Sequence, residues 1–400
     1  MNRKLLFIHY AIIDKEGFGR TFMFAREMAK MGHQVTFLTT LPSSRFAWPY
    51  HTETRDNVKL LAFPDILPDN FRRTGFVFFS ALLKLVYLIG NHNFDLVHSD
   101  TGHRPSAAIP SVFCQLVYRI PHVTEWWDDF GRGGQFDDKS FFKKLTHGFY
   151  DLYFQKPFIK LSSHTVVLSH YLKAKAMQWG VPENKITILH GGADDLKIPF
   201  SPNSSAAKSK KGIPPDTFTF GFIGMNSGEL RDILPFIEAV VRLKDRFPIN
   251  WFTTGGTLSP EFKKQYGIGT ELHEFGWQSY DDYAVSLSAA DAFILIQQDT
   301  NGNLARWPNK LGDYLAAGRL VLCNPVGDMA ELMTAHPKAF VRTENNTESI
   351  MSQIEWMMDN KEELVGQRSS IRYISETKYS WKSKSSELLD IYTKLIDREN

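Results

Sequence analysis

At about 150 residues per domain, a chain of 400 residues makes two or three domains. Hydrophobic residues at 43% and charged residues at 22% exclude a disordered chain, and 46 Lys+Arg against 44 Asp+Glu, a formal charge of +2, give no support for a nucleic-acid binder. Two cysteines, Cys114 and Cys323, exclude a disulfide framework and read as buried thiols of a reducing compartment, which points to the cytoplasm.

The N-terminal apolar run is too short and too soon broken for a secretion signal. Residues 4–9 form a strand candidate. A loop with Gly17 and Gly19 follows, then a helical spacing of apolar residues over 21–31, closed by Gly32, and a second strand over 35–39. This β-α-β unit implies a parallel sheet. Strands are expected next at 58–63, 95–98, 122–125, 165–169 and 186–189, with helices at 76–90, 104–119, 139–160 and 170–179. The apolar stretch 76–90 is interrupted by Lys84 and is shorter than the ~20 residues a membrane-spanning helix needs.

Residues 199–216 are rich in Pro, Ser and Lys without apolar period and read as a linker. The alternation then restarts. Strands are expected at 218–223, 250–254, 272–275, 292–297, 320–323 and 338–341. Helices are expected at 230–246, 279–289, 309–317, 328–333 and 347–358. Thus 1–198 and 217–379 form two α/β domains with doubly wound parallel sheets, and 380–400 adds a helix with no strand after it. Ligands of such sheets bind outside the carboxyl ends of the strands, so two domains facing each other enclose a cleft lined by the loops after the strands.

The stretch 291–323 is the most informative. A buried strand ends in a polar loop, and Pro308 suits the first turn of a helix that Gly318 ends. Free backbone N–H groups at Asn309, with Lys310 and Arg306 nearby, make an anion site. Asp313, one turn further, can accept hydrogen bonds from sugar hydroxyls. Lysine and arginine at a helix start oppose the helix dipole, which favours an anionic ligand over idle surface charge.

This stretch resembles the donor-site signature of the GT-B glycosyltransferases, in the large retaining family that includes bacterial mannosyltransferases and sucrose synthase. The resemblance implies two Rossmann-like domains facing a cleft, a C-terminal helix crossing back to the first, and a nucleotide-diphosphate sugar as co-substrate. Asp313 falls where the family binds the donor ribose. Ala305 stands where the commoner pattern has a Glu, so the loop with Asn301 and Asn303 becomes the candidate for contacting the sugar. Arg231 matches the second of two basic residues that bind the donor phosphates, whereas Met225 or Asn226 stands at the first. Residues 188–194, Ile-Leu-His-Gly-Gly-Ala-Asp, resemble a structural turn of the family. Gly17 and Gly19 serve a tight turn or a close approach of backbone to the donor.

In the first domain the resemblance implies an acceptor site. Two loops after strand ends carry Asp100, His103 and Arg104, and Glu125, Trp126, Trp127, Asp128 and Asp129. Aromatic rings stack on sugar faces and carboxylates fix hydroxyls. Relatives place a His near the second loop; this chain offers Glu125 and Asp128, which join Arg231 and Lys310 as candidate catalytic groups. His103 could equally be structural, and Trp126 and Trp127 could be core.

The expected reaction is transfer of a sugar to a glycan, a lipid-linked compound or another hydroxyl acceptor, with retention and without metal. No metal-ligand spacing and no Gly-x-Ser-x-Gly or Gly-Lys-Ser/Thr motif appears. A nucleotide-sugar epimerase and a non-catalytic binder of sugar nucleotides or glycans stay open. The aromatic and basic stretches 71–90 and 139–160 suit either core packing or peripheral contact with a membrane. Oligomeric state is not legible.

Overall fold

The computed structural model describes residues 2–12, 19–100, 103–137, 139–225 and 230–399. The chain divides into two compact units. The first comprises Met1–His190, Ala305–Trp307 and Lys384–Asn400; the second comprises Gly191–Leu304 and Pro308–Ser383.

Among the described residues the first unit has eight strands: β1 Lys4–Ile12, β2 Gln34–Thr40, β3 His51–Arg55, β4 Val58–Phe63, β5 Leu96–Asp100, β6 His122–Trp126, β7 His164–Val167 and β8 Ile186–Ile188. They lie in the order β3-β4-β2-β1-β5-β6-β7-β8. All neighbours are parallel except β3 and β4. The central strands read as continuous apolar runs because helices cover both faces. The sequence Leu-Val-His-Ser-Asp of β5 and His-Val-Thr-Glu-Trp of β6 is buried throughout, so their polar residues must find partners inside the protein. Strand β3, His-Thr-Glu-Thr-Arg, has no apolar alternation and is the strand that periodicity misses. It is an edge strand, joined to β4 through Asp56 and Asn57, both at positive φ (50° and 64°), as a two-residue hairpin turn requires.

The helix expected at 139–160 is instead three short ones, Phe141–Leu145, His147–Tyr153 and Gln155–Leu161. Thr146 leaves the helical region at ψ −88°, and Gly148 follows it, tucked where a Cβ would lie 2.7 Å from the Phe136 ring. The C-terminal helix Trp381–Glu399 begins in the second unit and continues into the first. Leu388 and Tyr392 are fully buried, and the Tyr392 hydroxyl is 2.7 Å from His98 Nδ1 on β5.

The second unit has an all-parallel sheet in the order β11-β10-β9-β12-β13-β14. Its strands are β9 Phe218–Met225, β10 Ile249–Gly255, β11 Leu272–Glu274, β12 Ala292–Leu295, β13 Leu320–Cys323 and β14 Phe340–Arg342. The stretch 199–216 belongs to this unit and contains the helix Ser205–Lys210. Its Lys208 is buried and donates to Asp291 and to the Thr217 carbonyl (2.6 Å), while Arg368 (2.7 Å) and Ser204 (2.6 Å) donate to the other Asp291 oxygen. Composition typical of a solvated linker therefore hides a docked segment. The chain passes between units at His190–Gly191 and at Ser383–Lys384, and returns briefly to the first unit over Ala305–Trp307. The residues flanking these passages are paired: Ala193 bridges Ser380 in parallel, and Gly192 packs where a Cβ would lie 2.9 Å from the Ser380 backbone. No helix among the described residues is long and apolar enough to cross a membrane.

Candidate functional site

In the second unit, the chain leaves β12 and reaches the helix Asn309–Ala316, whose start follows Pro308 at φ −68°. Pro308, at the N-cap, makes no side-chain cap hydrogen bond to this start. Asn309, the first helical residue, is exposed. Lys310 lies 4.2 Å over the Phe222 ring and donates from Nζ to the Ile223 carbonyl at 3.1 Å, which ties the helix start to the carboxyl end of β9. Tyr314 secures the same junction: its ring stacks on Phe293 at 3.9 Å, and its hydroxyl accepts from the Ile223 N–H at 3.3 Å. Gly312 allows the close packing, because a Cβ there would lie 3.1 Å from the Gly192 backbone.

Asp313 accepts a hydrogen bond from the Tyr283 hydroxyl at 2.6 Å. Burial pushes its carboxyl up to about 6; the Tyr283 bond opposes the shift and the Asp194 charge adds to it. Burial and the Asp313 charge in turn hold the Tyr283 phenol well above its ordinary range. Arg231 is exposed, second in the helix Leu230–Leu243 that follows β9. Asn301 opens a short helix, Asn301–Ala305, and Asn303 donates from Nδ2 to the Gln298 carbonyl at 2.9 Å. Met225 is buried. Asn226 and Gly17 lie outside the described residues, and Gly19 starts the helix Gly19–Lys30 at φ +34°.

In the first unit, the polar residues at the ends of β5 and β6 are engaged with one another. Asp100 is fully buried; it accepts from the Tyr10 N–H at 2.8 Å and the Thr21 hydroxyl at 2.7 Å, and pairs with His9. Glu125 accepts from Arg20 Nε at 2.7 Å and from Trp127 Nε1 at 3.2 Å, with His98 Nε2 3.4 Å away. Burial pushes the Glu125 carboxyl up, but Arg20 and His98 outweigh it and hold it down to about 2. It is a clamped carboxylate rather than a poised base. Arg20 also donates to the carbonyls of Leu189 (2.7 Å) and His190 (2.9 Å), so one guanidinium joins a helix start, β6 and the end of β8.

Trp126 belongs to the core. It stacks on Trp179 at 4.8 Å, packs with Ile159, Val167, Leu172 and Ala305, and donates to the Asp128 carbonyl at 2.6 Å. A ring 1% exposed presents no face for a sugar to stack on. Trp127 is half-buried, edge-on to Tyr10 at 6.0 Å. His103 is buried 2.7 Å from Asp151, and burial pushes its imidazole down to about 4, so it is neutral at pH 7. Arg104 shares Asp151 at 3.0 Å and lies between the Phe76 and Phe130 rings at 4.6 and 4.9 Å.

Arg306, expected beside the helix start, belongs to the first unit through the segment Ala305–Trp307. It donates to Asp128 at 2.8 Å, Ser169 donates to the Ala305 carbonyl at 3.1 Å, and Trp307 stacks on His190 at 4.1 Å. Asp128 is half-buried; burial raises its carboxyl and the Arg306 charge lowers it, with a net upward shift. Sequence reasoning missed Arg20, Tyr283 and Tyr392. Arg20 had a signal, a cation in the first turn of a helix, where the dipole disfavours it. Tyr283 and Tyr392 had none, because only folding brings them to Asp313 and His98. Among the described residues no cluster of three or more His, Cys, Asp or Glu side chains is placed to hold a metal ion.

These two parallel-sheet units define a GT-B fold. A glycosyltransferase from Rickettsia africae aligns with TM-score 0.70 and 14% identity over 99% of each chain. The sucrose-phosphate synthase of Thermosynechococcus elongatus aligns with TM-score 0.72 and 12% identity over 100% of each. Anabaena HepE, solved in complex with UDP and glucose, aligns with TM-score 0.68 and 12% identity over 98% of this chain and 100% of its own. Residues 20–195 match the family model described as Glycosyltransferase Family 4. No curated protein sequence matches.

Proposed function

We propose that this protein is a glycosyltransferase that moves a sugar from a nucleotide-diphosphate sugar to a hydroxyl acceptor, a glycan or lipid-linked compound, with retention and without a metal. The observation that carries the reading is the helix Asn309–Ala316: a start that its N-cap Pro308 leaves without a side-chain cap, tied to the end of β9, with Lys310 at its first turn and Asp313 one turn on. Backbone N–H groups and Lys310 there suit a diphosphate, and Asp313 suits the ribose hydroxyls. Arg231, exposed and second in the helix after β9, adds a further cation. The match of residues 20–195 to a glycosyltransferase family and the GT-B fold support the same class.

In this mechanism the bond from the anomeric carbon to the diphosphate oxygen breaks, and negative charge grows on the leaving group. Lys310, Arg231 and the helix start stabilise that charge. The anomeric carbon passes through an oxocarbenium-like state and bonds to the acceptor oxygen. The acceptor proton goes to the leaving phosphate. Asp128, half-buried and paired with Arg306, is the acidic group of the first unit proposed to act on the acceptor. Glu125 serves that loop by holding the Trp127 indole.

A thermal-shift screen against UDP, GDP, ADP and their sugars tests the donor assignment, because a ligand of the folded state raises the melting temperature. Lys310→Ala and Arg231→Ala should each weaken the shift and lower transfer by about 100-fold or more. Normal binding and turnover in both variants overturns the site. Release of a modified free sugar without acceptor would show an epimerase, and binding without turnover a non-catalytic protein.

A further inference from the structure

The first unit carries an apolar surface that its own fold does not use. In the helix Phe78–Gly90, Ser80, Ala81, Lys84 and Leu88 face inward and are buried. Phe78, Leu82, Val86 and Ile89, spaced by four, four and three, form one outward stripe, each 50–59% exposed. The helix's single charged residue, Lys84, is turned inward, where it donates to Ser106 Oγ at 2.6 Å. A helix on a soluble surface normally places its charges outside and its apolar residues inside. Here the outer face is apolar as well.

The three short helices at 141–161 continue this surface. Phe141, Phe142 and Leu145 are 75%, 77% and 67% exposed, and Phe149 and Tyr153 stand out at 47% and 58%. The Tyr150 ring meets both Phe76 at 5.4 Å and Phe78 at 5.9 Å, which joins the two stripes. An exposed patch this continuous marks a docking surface.

Charge decides what docks there. Residues 139–161 contain five lysines and one acid, Asp151. Asp151 is buried and accepts from Lys139 (2.6 Å), His103 and Arg104. Lys143, Lys156 and Lys160 are exposed between the aromatic residues, with no exposed carboxylate in the segment. A cavity of about 560 Å³ opens at the foot of Phe141–Leu145, lined by Thr74, Arg104, Lys139, Ser140 and Lys143 among others. Among the described residues, the buried Arg104 Nε has no hydrogen-bond partner. Exposed phenylalanines interleaved with exposed lysines match the two layers of an anionic bilayer, acyl chains and phosphate headgroups.

We propose that the first unit docks on an anionic lipid bilayer through this aromatic and basic face. The rings of Phe141, Phe142 and the 78–89 stripe enter the acyl boundary while the lysines stay at headgroup level. The helices are too short to span, so the contact is at the surface.

Co-sedimentation of the whole protein with phosphatidylcholine vesicles, with and without phosphatidylglycerol, tests this. Binding should be about tenfold or more tighter with phosphatidylglycerol and should weaken with salt. The pair Phe141→Ser and Phe142→Ser should lose about tenfold or more of that affinity. The pair Leu82→Ser and Val86→Ser, on the other stripe, is a second reading of the same face. Trp277→Ser, which removes a 90% exposed ring from the second unit, should change nothing. Equal binding to both vesicle types, undiminished binding by both serine pairs, or an equal loss in Trp277→Ser overturns the proposal. So does a dimer in solution that the Phe141/Phe142 pair converts to monomer, because the face would then join two copies. The nucleotide thermal shift should be intact in all these variants, which separates failure of docking from failure of the donor site.

Discussion

Asp313 and Lys310 are where single side chains decide most. Lys310 is held by a carbonyl and an aromatic face, so its ammonium is preorganised rather than swinging in solvent. Lys310→Ala should lower kcat by about 100-fold or more, the scale of losing one preorganised donor to a developing anion, as measured by steady-state transfer. Asp313 titrates at about 6 in the folded chain against an ordinary 3.8, so the fold favours its protonated form. That preference is fully present below 3.8 and is lost as pH rises through about 6. Melting curves of wild type and Asp313→Asn should therefore diverge with pH, the variant gaining on wild type between about pH 4 and about pH 6 and the difference levelling off above that. Donor affinity of the wild type should fall below about pH 6, as the ionised carboxylate that would hold the ribose disappears.

Whole elements are tied together by a few buried polar groups. Arg20 links the helix Gly19–Lys30 to β6 through Glu125 and to the end of β8 through two carbonyls. Arg20→Ala leaves the buried Glu125 uncompensated and should cost about 3–5 kcal/mol by denaturant unfolding. Because Glu125 is held at about 2 against an ordinary 4.5, the stability it contributes is present above 4.5 and is lost as pH falls toward 2. The helix Asn309–Ala316 ends in a comparable constraint. Gly318 lies at φ +68°, and a Cβ there would stand 2.6 Å from the Phe200 ring and 2.8 Å from the Arg368 carbonyl oxygen. Gly318→Ala should destabilise by about 1–3 kcal/mol, read as a lower denaturation midpoint at unchanged m-value.

At the scale of the molecule, the two units are not two consecutive pieces of sequence. The first takes its last core residues, Leu388, Tyr392 and Ile396, from the far end of the chain. Truncation after residue 383 should strip these from the core and leave the His98 imidazole without its Tyr392 partner. The expected outcome is an insoluble or early-melting product. Tyr392→Phe, which removes only the hydroxyl, should cost about 1 kcal/mol by thermal unfolding.

Local patterns determined much of this protein. Among the described residues, thirteen of the fourteen strands lie where the local pattern between turn residues places them, and the central ones stand out most because strands buried on both faces read as continuous apolar runs. The start and end of the helix Asn309–Ala316 were legible in Pro308 and Gly318, whose backbone preferences are fixed by their own covalent structure. Partnership was not legible. Whether Trp126 offers a ring to a ligand or stacks on Trp179, and whether Glu125 is poised or clamped by Arg20, depends on residues tens to a hundred positions away. The same holds for the lysine-rich stretch 199–216, which is held by Asp291 through Lys208. The sequence specified which residues carry chemistry and on which elements they stand. Tertiary structure alone decided which of them are spent on one another, because desolvation forces every buried charge to find a partner.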